Sequence, residues 1–193
     1  MLKSILARIW SVSKDAAPTV ASIFVAASAV SAAWGYYISR HDLREARTLQ
    51  LVQQFDDARF GRAQDEAATA IGSAQELVRS ALRSPATAGL PSADVSPLRD
   101  EVFVAELYRG NPDRPPGLPL AIAEVTGFFN GLEACVQTGL CDSGTAHAFF
   151  DVYARSFWCS ITPVVNYERH AKRRPRFAAG MQEFVDSGGE RCS

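Results

Sequence analysis

Apolar residues recur at helical intervals along most of the chain, and this pattern predicts an all-α protein. After Arg40 the recurrence continues through successive stretches with a period of about 3.6 residues. No stretch shows sustained two-residue alternation, so no sheet is predicted. We therefore expect an N-terminal helix that continues into a compact bundle of about five helices over residues 40–187.

Residues that end helices separate the predicted elements. Asp56 and Asp57 mark the first break, and a segment rich in proline and glycine at 110–117 marks another. Gly139 is typical of a helix C-terminus, and Asp142 or Ser143 is a candidate N-cap for the next helix. Pro163 is expected to kink or end that helix. The last helix is predicted at about 175–185, with a flexible tail at 188–193.

One long segment has the length of a transmembrane helix. The 24 residues Ala16–Ser39 carry no charge and would span about 36 Å as a helix, whereas a bilayer core is about 30 Å thick. Trp34, Tyr36 and Tyr37 lie near its C-terminal end, as in an aromatic belt. We predict a transmembrane helix at 15–39. The alternative interpretation is a cleaved signal peptide.

Small residues line one face of this segment. Ala27, Ser31 and Gly35 are four residues apart, and such a face lets two transmembrane helices approach closely. Residues 1–14 combine one apolar face with lysines and arginine on the other, which predicts a basic amphipathic helix in a headgroup region. The alternative is a simple basic segment that only sets topology.

Composition and charge exclude several classes of protein. The 193 residues include 20 basic and 21 acidic side chains, for a formal net charge of -1. This balance argues against a disordered tail and against a strongly basic nucleic-acid binder. No catalytic or phosphate-binding motif is present, and no cofactor is predicted.

Four cysteines leave the redox compartment open. Cys135 and Cys141 lack zinc-ligand spacing, and the histidines are isolated, so no metal site is predicted. In an oxidising compartment the four would form two disulfides, and Cys141 and Cys192 are the residues we expect to take part. In the cytoplasm the same residues would be thiols, with Cys135 and Cys159 acting as small core residues.

Three polar residues stand out among the apolar stripes. Asn130 and Glu133 are three residues apart on one helix, and Arg155 on the next helix is a candidate partner for the carboxylate. We expect a structural polar group that sets helix register. The alternative is an acid/base carboxylate in a pocket between helices.

A basic run lies near the C-terminus. It is expected to be a solvated helix end, and the alternative is a patch for anionic lipid headgroups; nucleic acid is the least favoured ligand. The cations of this run are Arg169, Lys172, Arg173, Arg174 and Arg176.

Four motifs carry a family resemblance. They are RHDLREARTLQLVQQFDD, FFNGLEACVQTGLCD, FWCSITPVVNYER and RRPRF. Over roughly residues 20 to 186 the chain resembles a bacterial membrane-anchored family catalogued as domain of unknown function 4760. The resemblance implies a small helical domain without an established activity, placed in the cytoplasm below the inner membrane. Its matching positions are Phe129, Asn130, Glu133, Gly139 and Trp158.

Two classes of function follow. The first is a single-pass membrane-anchored interaction protein, an accessory or scaffolding subunit that packs on a membrane protein or on a second copy of itself. The second is an enzyme or small-ligand-binding domain with a pocket around Glu133. Resemblance favours a cytoplasmic domain with reduced thiols, and a periplasmic domain with two disulfides is the alternative.

Overall fold

A computed structural model describes the backbone of residues 2–84, 91–109 and 118–189 and of Cys192. Side chains are described in these ranges from residue 27 onward, apart from 92–94. Within this part of the chain there are six α-helices and no strand, which confirms the predicted all-α class. The helices are α1 (Leu2–Phe55), α2 (Ala58–Leu82), α3 (Ser92–Arg109), α4 (Leu120–Gln137), α5 (Ser143–His170) and α6 (Ala179–Ser187).

The chain divides into two compact units. The first is Met1–Leu43, which holds most of α1, and the second is Arg44–Ser193, which holds the end of α1 and the five later helices. Among the described residues, no helix combines the length and the apolar character needed to cross a bilayer. The structure thus gives no support to the transmembrane helix predicted at 15–39. Side chains 15–26 of that segment, like those of the amphipathic stretch at 1–14, lie outside the described residues.

Two predicted helix boundaries, one between α1 and α2 and one between α4 and α5, follow from local capping chemistry. α1 ends at Phe55, and the Asp57 carboxylate caps α2 by accepting a hydrogen bond of 2.7 Å from the Arg59 N–H. α4 ends at Gln137, and Gly139 has a φ of +66°, the left-handed conformation that glycine adopts at low cost. The Asp142 carboxylate then accepts from the Thr145 N–H at 2.8 Å and begins α5.

Three helix boundaries differ from the sequence predictions. α5 does not end at Pro163 but continues to His170. Proline removes one backbone donor, and burial of Ile161 and Val164 on either side keeps the helix in place. A helix is predicted from the sequence at 97–108, whereas α3 starts at Ser92 and runs through Pro97; α6 starts at Ala179 rather than near 175.

The second unit has one aromatic core. Phe129, Phe150 and Phe184 are almost fully buried, and the Phe55 ring at the end of α1 lies 5.1 Å from that of Phe150 and 5.0 Å from that of Tyr153. Around this core α2 packs on α3 and α4, and α6 packs on α4 and α5. Thr48 joins α1 to the turn before α5, since its buried hydroxyl accepts a hydrogen bond of 2.9 Å from the Asp142 N–H.

Candidate functional site

Large apolar side chains of α1 are exposed in the first unit. Trp34 and Tyr37 retain 66% and 69% of their accessible surface. We call this set the α1 apolar surface; its members are Val30, Trp34, Tyr36, Tyr37, Ile38 and Leu43. Soluble proteins rarely carry large exposed apolar patches, so this concentration of exposed apolar side chains on one helix needs an explanation.

The predicted small-residue face is also exposed. Ala27 and Ser31 are accessible, and a Cβ placed on Gly35 would meet no atom within 4 Å. Open space at these positions leaves room for another helix backbone to approach. The guanidinium of Arg40, one turn after Tyr36, lies 5.3 Å from the Tyr36 ring centre.

Asn130 lies at the contact between α4 and α6. Its side-chain oxygen accepts a hydrogen bond of 2.9 Å from the Met181 N–H. Ala178, the residue before α6, has no side-chain oxygen, so Asn130 satisfies a donor that the local sequence leaves open. Gly180 completes the contact, because a Cβ there would lie only 3.0 Å from the Asn130 Cα.

The structure does not bring Glu133 and Arg155 together. Arg155 donates to the Asp151 carboxylate at 2.9 Å. Glu133 is 7% exposed, and its buried Oε2 has no hydrogen-bond partner within the part of the chain that is described. The candidate contact between Glu133 and Arg155 is thus not seen among the described side chains, and Arg155 pairs instead with Asp151, one turn away on α5.

The basic run is divided among several contacts. Arg169 donates to the Phe177 carbonyl at 2.9 Å and to the Gln182 side chain at 2.8 Å, so it holds the segment between α5 and α6. Arg174 donates to the Glu168 carboxylate at 3.2 Å. Lys172, Arg173 and Arg176 are exposed, and the Lys172 ammonium lies 5.7 Å from the Tyr108 ring centre. Two of the five cations thus have structural partners.

Glu168 is a buried carboxylate that the sequence reading did not single out. It is 2% exposed, and besides Arg174 it accepts a hydrogen bond from the Tyr108 hydroxyl. Burial of the phenol, together with this bond and the carboxylate charge, raises the pKa of Tyr108 well above its ordinary value. The signal was present in the periodicity, because Glu168 falls four residues after Val164 on the buried face of α5.

All four cysteines are paired in the structure. Cys135 bonds Cys141 across the end of α4, and Cys159 on α5 bonds Cys192 in the C-terminal segment. Cys141 and Cys192 are both disulfide-bonded, as expected for an oxidised chain, but not to each other. Cys135 and Cys141 are six positions apart in the sequence, so the turn at Gly139 already brings these two together.

The tail prediction falls mostly outside the described residues. Residues 190, 191 and 193 are not described, whereas Cys192 is joined to α5 through its disulfide.

Two surface cavities lie among the described residues of the second unit. The larger, about 1160 Å³, lies between the end of α1, the start of α2 and the face of α4 that carries Gly127 and Gly131. The smaller, about 550 Å³, lies between α2, α3 and α5 beside the Cys159–Cys192 disulfide. Glu133 lines neither of these two, so they give no support to a pocket built around that carboxylate.

Neither a search for metal-binding clusters nor a comparison with known proteins assigns a function to the site. Among the side chains that the structure describes, no group of three histidine, cysteine or carboxylate residues is arranged to hold a metal ion. Comparison of the chain with protein-family models, curated proteins and solved structures finds no match. The family resemblance drawn from the four motifs therefore stays a prediction.

Proposed function

We propose that the protein is a membrane-anchored helical interaction protein, an accessory or scaffolding subunit that binds a membrane protein through α1. The observation that carries this proposal is the α1 apolar surface. Exposed aromatic and branched side chains on a single helix cost free energy in water, at about 25 cal/mol per Å² of apolar area. A partner helix and lipid together would remove that cost.

The small-residue face supports a protein partner in addition to lipid. Ala27, Ser31 and Gly35 present little side-chain volume, and Gly35 has free space in front of it. Lipid tails gain nothing from such a face, whereas a second helix gains close backbone packing. The anchor itself rests on the sequence, that is, on the uncharged segment Ala16–Ser39 and its aromatic end.

The domain that follows is proposed to work in an oxidising compartment, the periplasm. Both disulfides belong to the second unit, and disulfides persist outside the reducing cytoplasm. We therefore favour the periplasmic alternative over the cytoplasmic placement that the family resemblance implies. An impermeant maleimide added to intact cells tests it: we expect no labelling before reduction and labelling after it, whereas thiols that react only after lysis would contradict a periplasmic domain.

Copurification tests the interaction directly. The full chain extracted in mild detergent is expected to carry one membrane protein in fixed ratio, identified by mass spectrometry. The matched variant Gly35→Leu fills the small-residue face without adding charge and is expected to lose the partner while remaining in the membrane. If the natural chain and the Gly35→Leu variant both purify without a partner, the proposal is contradicted.

A further inference from the structure

A serine, a histidine and an aspartate meet where α6 ends against α5. The Ser187 Oγ lies 3.2 Å from His147 Nε2, and His147 Nδ1 lies 3.1 Å from Asp151 Oδ1. The second carboxylate oxygen of Asp151 accepts from Arg155 at 2.9 Å. We call these residues the Ser187 cluster. None of them lines either cavity or belongs to the α1 apolar surface.

The cluster is held in place from several sides. His147 and Asp151 are four residues apart on α5, so they share one helix face. The imidazole ring stacks on Phe184 of α6 at 4.4 Å and 10°. Gly188 follows the serine, and a Cβ at that position would lie 2.4 Å from Asp151 Oδ1. Because any other residue would displace the carboxylate, the glycine keeps Asp151 beside the imidazole.

Histidine tautomerism links these contacts into a relay. With its proton on Nδ1, neutral His147 donates to Asp151 and turns the lone pair of Nε2 toward the Ser187 hydroxyl. A base that reaches a hydroxyl and is itself oriented by a carboxylate is the arrangement that activates serine nucleophiles. The histidine and aspartate side chains are 23% and 25% exposed, and Ser187 is exposed, so a small molecule can reach the oxygen.

We propose that Ser187 is a nucleophile, activated by His147 and Asp151, that accepts acyl groups from small carboxylic esters. Ser187 Oγ attacks the ester carbonyl while its proton passes to His147 Nε2. The carbon–oxygen bond to the alcohol then breaks, and the alcohol leaves with that proton. Water, deprotonated by the same nitrogen, releases the acid and restores the serine.

Two features limit the rate. The Ser187 Oγ also lies 2.8 Å from the Phe184 carbonyl, so its single proton is shared between that oxygen and Nε2. The two backbone N–H groups that follow Ser187, those of Gly188 and Gly189, already donate to carbonyls at the end of α6, at 3.2 and 3.3 Å. These N–H groups must leave their carbonyls to stabilise charge. We therefore expect slow turnover, and covalent labelling that needs long incubation.

A fluorophosphonate probe on the purified full chain tests the proposal. The Oγ–phosphorus bond forms as fluoride leaves, and peptide mapping is expected to place one adduct on Ser187. Ser187→Ala should abolish labelling. His147→Gln should slow it by about 100-fold, the scale of lost general-base catalysis. Ser156→Ala, at an exposed serine on α5, is the matched control and should label like the natural chain.

Circular dichroism and peptide mapping keep each result decisive. Only variants whose circular dichroism shows the same helix content as the natural chain are compared. The Ser187→Ala variant is expected to fold because Ser187 lies at the surface. An unlabelled natural chain, an adduct on another serine, or equal labelling in the His147→Gln variant would overturn the proposal. The cluster would then serve only to join α6 to α5. Partner binding through α1 is unaffected by any of these outcomes.

Discussion

Two polar side chains of this protein accept hydrogen bonds from other helices. Asn130 on α4 caps α6, and the residue before α6, Ala178, has the left-handed conformation with φ of 55°. Glu168 on α5 accepts from Tyr108 on α3. In both cases a polar side chain satisfies a donor that belongs to another element.

Removal of the Asn130 amide should weaken the domain. Asn130→Ala is expected to lower the free energy of unfolding by about 1 kcal/mol, the usual cost of a lost N-cap bond. Urea denaturation measures the change. Asn166→Ala, at an exposed position of α5, is the control and should leave stability unchanged or slightly higher. Equal losses in the two variants would show that Asn130 does not cap α6.

Two glycines should respond in opposite ways to alanine. Gly180→Ala places a Cβ about 3 Å from the α4 backbone and should destabilise the domain by about 1–3 kcal/mol. Gly72→Ala meets nothing within 4 Å on the exposed face of α2 and should stabilise it by about 0.5–1 kcal/mol. The same sign in both denaturation curves would contradict the close α4–α6 contact.

Tyr153 makes the stability of the domain sensitive to alkaline pH. Burial, with a smaller contribution from the Asp65 charge, raises the pKa of Tyr153 from 10.0 to about 12. Between these values the unfolded chain releases the proton first, so stability is complete below pH 10 and falls as pH rises toward 12. Tyr153→Phe should flatten this part of the stability curve. An unchanged slope would show that the phenol does not titrate with unfolding.

At the scale of elements, the disulfides act on loops of different length. Cys159 and Cys192 are 33 residues apart, whereas Cys135 and Cys141 are separated by 6. A crosslink that closes a longer loop removes more entropy from the unfolded chain. The Cys159–Cys192 bond should therefore contribute more to stability, although the Cys135–Cys141 bond has one almost fully buried cysteine.

Paired alanine variants compare the two bonds. Loop-closure entropy predicts losses of about 4 kcal/mol for Cys159→Ala with Cys192→Ala and about 2 kcal/mol for Cys135→Ala with Cys141→Ala. The denaturant midpoints of the two double variants are compared, provided that the free energy of unfolding falls with denaturant at the same slope in both. A larger loss from the short loop would mean that local packing, not loop entropy, decides the contribution of each bond.

Local sequence patterns were enough to predict the helices but not the contacts between them. The break at Asp56-Asp57 and the end near Gly139 depend on capping chemistry within a few residues, so the sequence was sufficient to locate them. The Tyr108–Glu168 contact joins residues 60 apart, and no periodicity reveals which phenol meets which carboxylate. The sequence likewise did not reveal which carboxylate Arg155 contacts. Pro163 failed as a helix end because tertiary burial outweighed one lost hydrogen bond.

The whole chain consists of a helix with an exposed apolar surface followed by a disulfide-linked helical unit. The α1 apolar surface exposes large apolar side chains, and the small face of Ala27, Ser31 and Gly35 on the same helix has open space in front of it. The second unit already buries its aromatic core within itself. Binding through α1 is therefore the central claim.

Photocrosslinking in living cells tests that claim most directly. A benzophenone amino acid replaces Tyr37 on the α1 apolar surface, and in a matched chain it replaces the exposed Glu45 further along the same helix. The account predicts one protein adduct of defined mass from position 37 and none from position 45. Adducts only with lipid, no adduct, or the same products from both positions would contradict it.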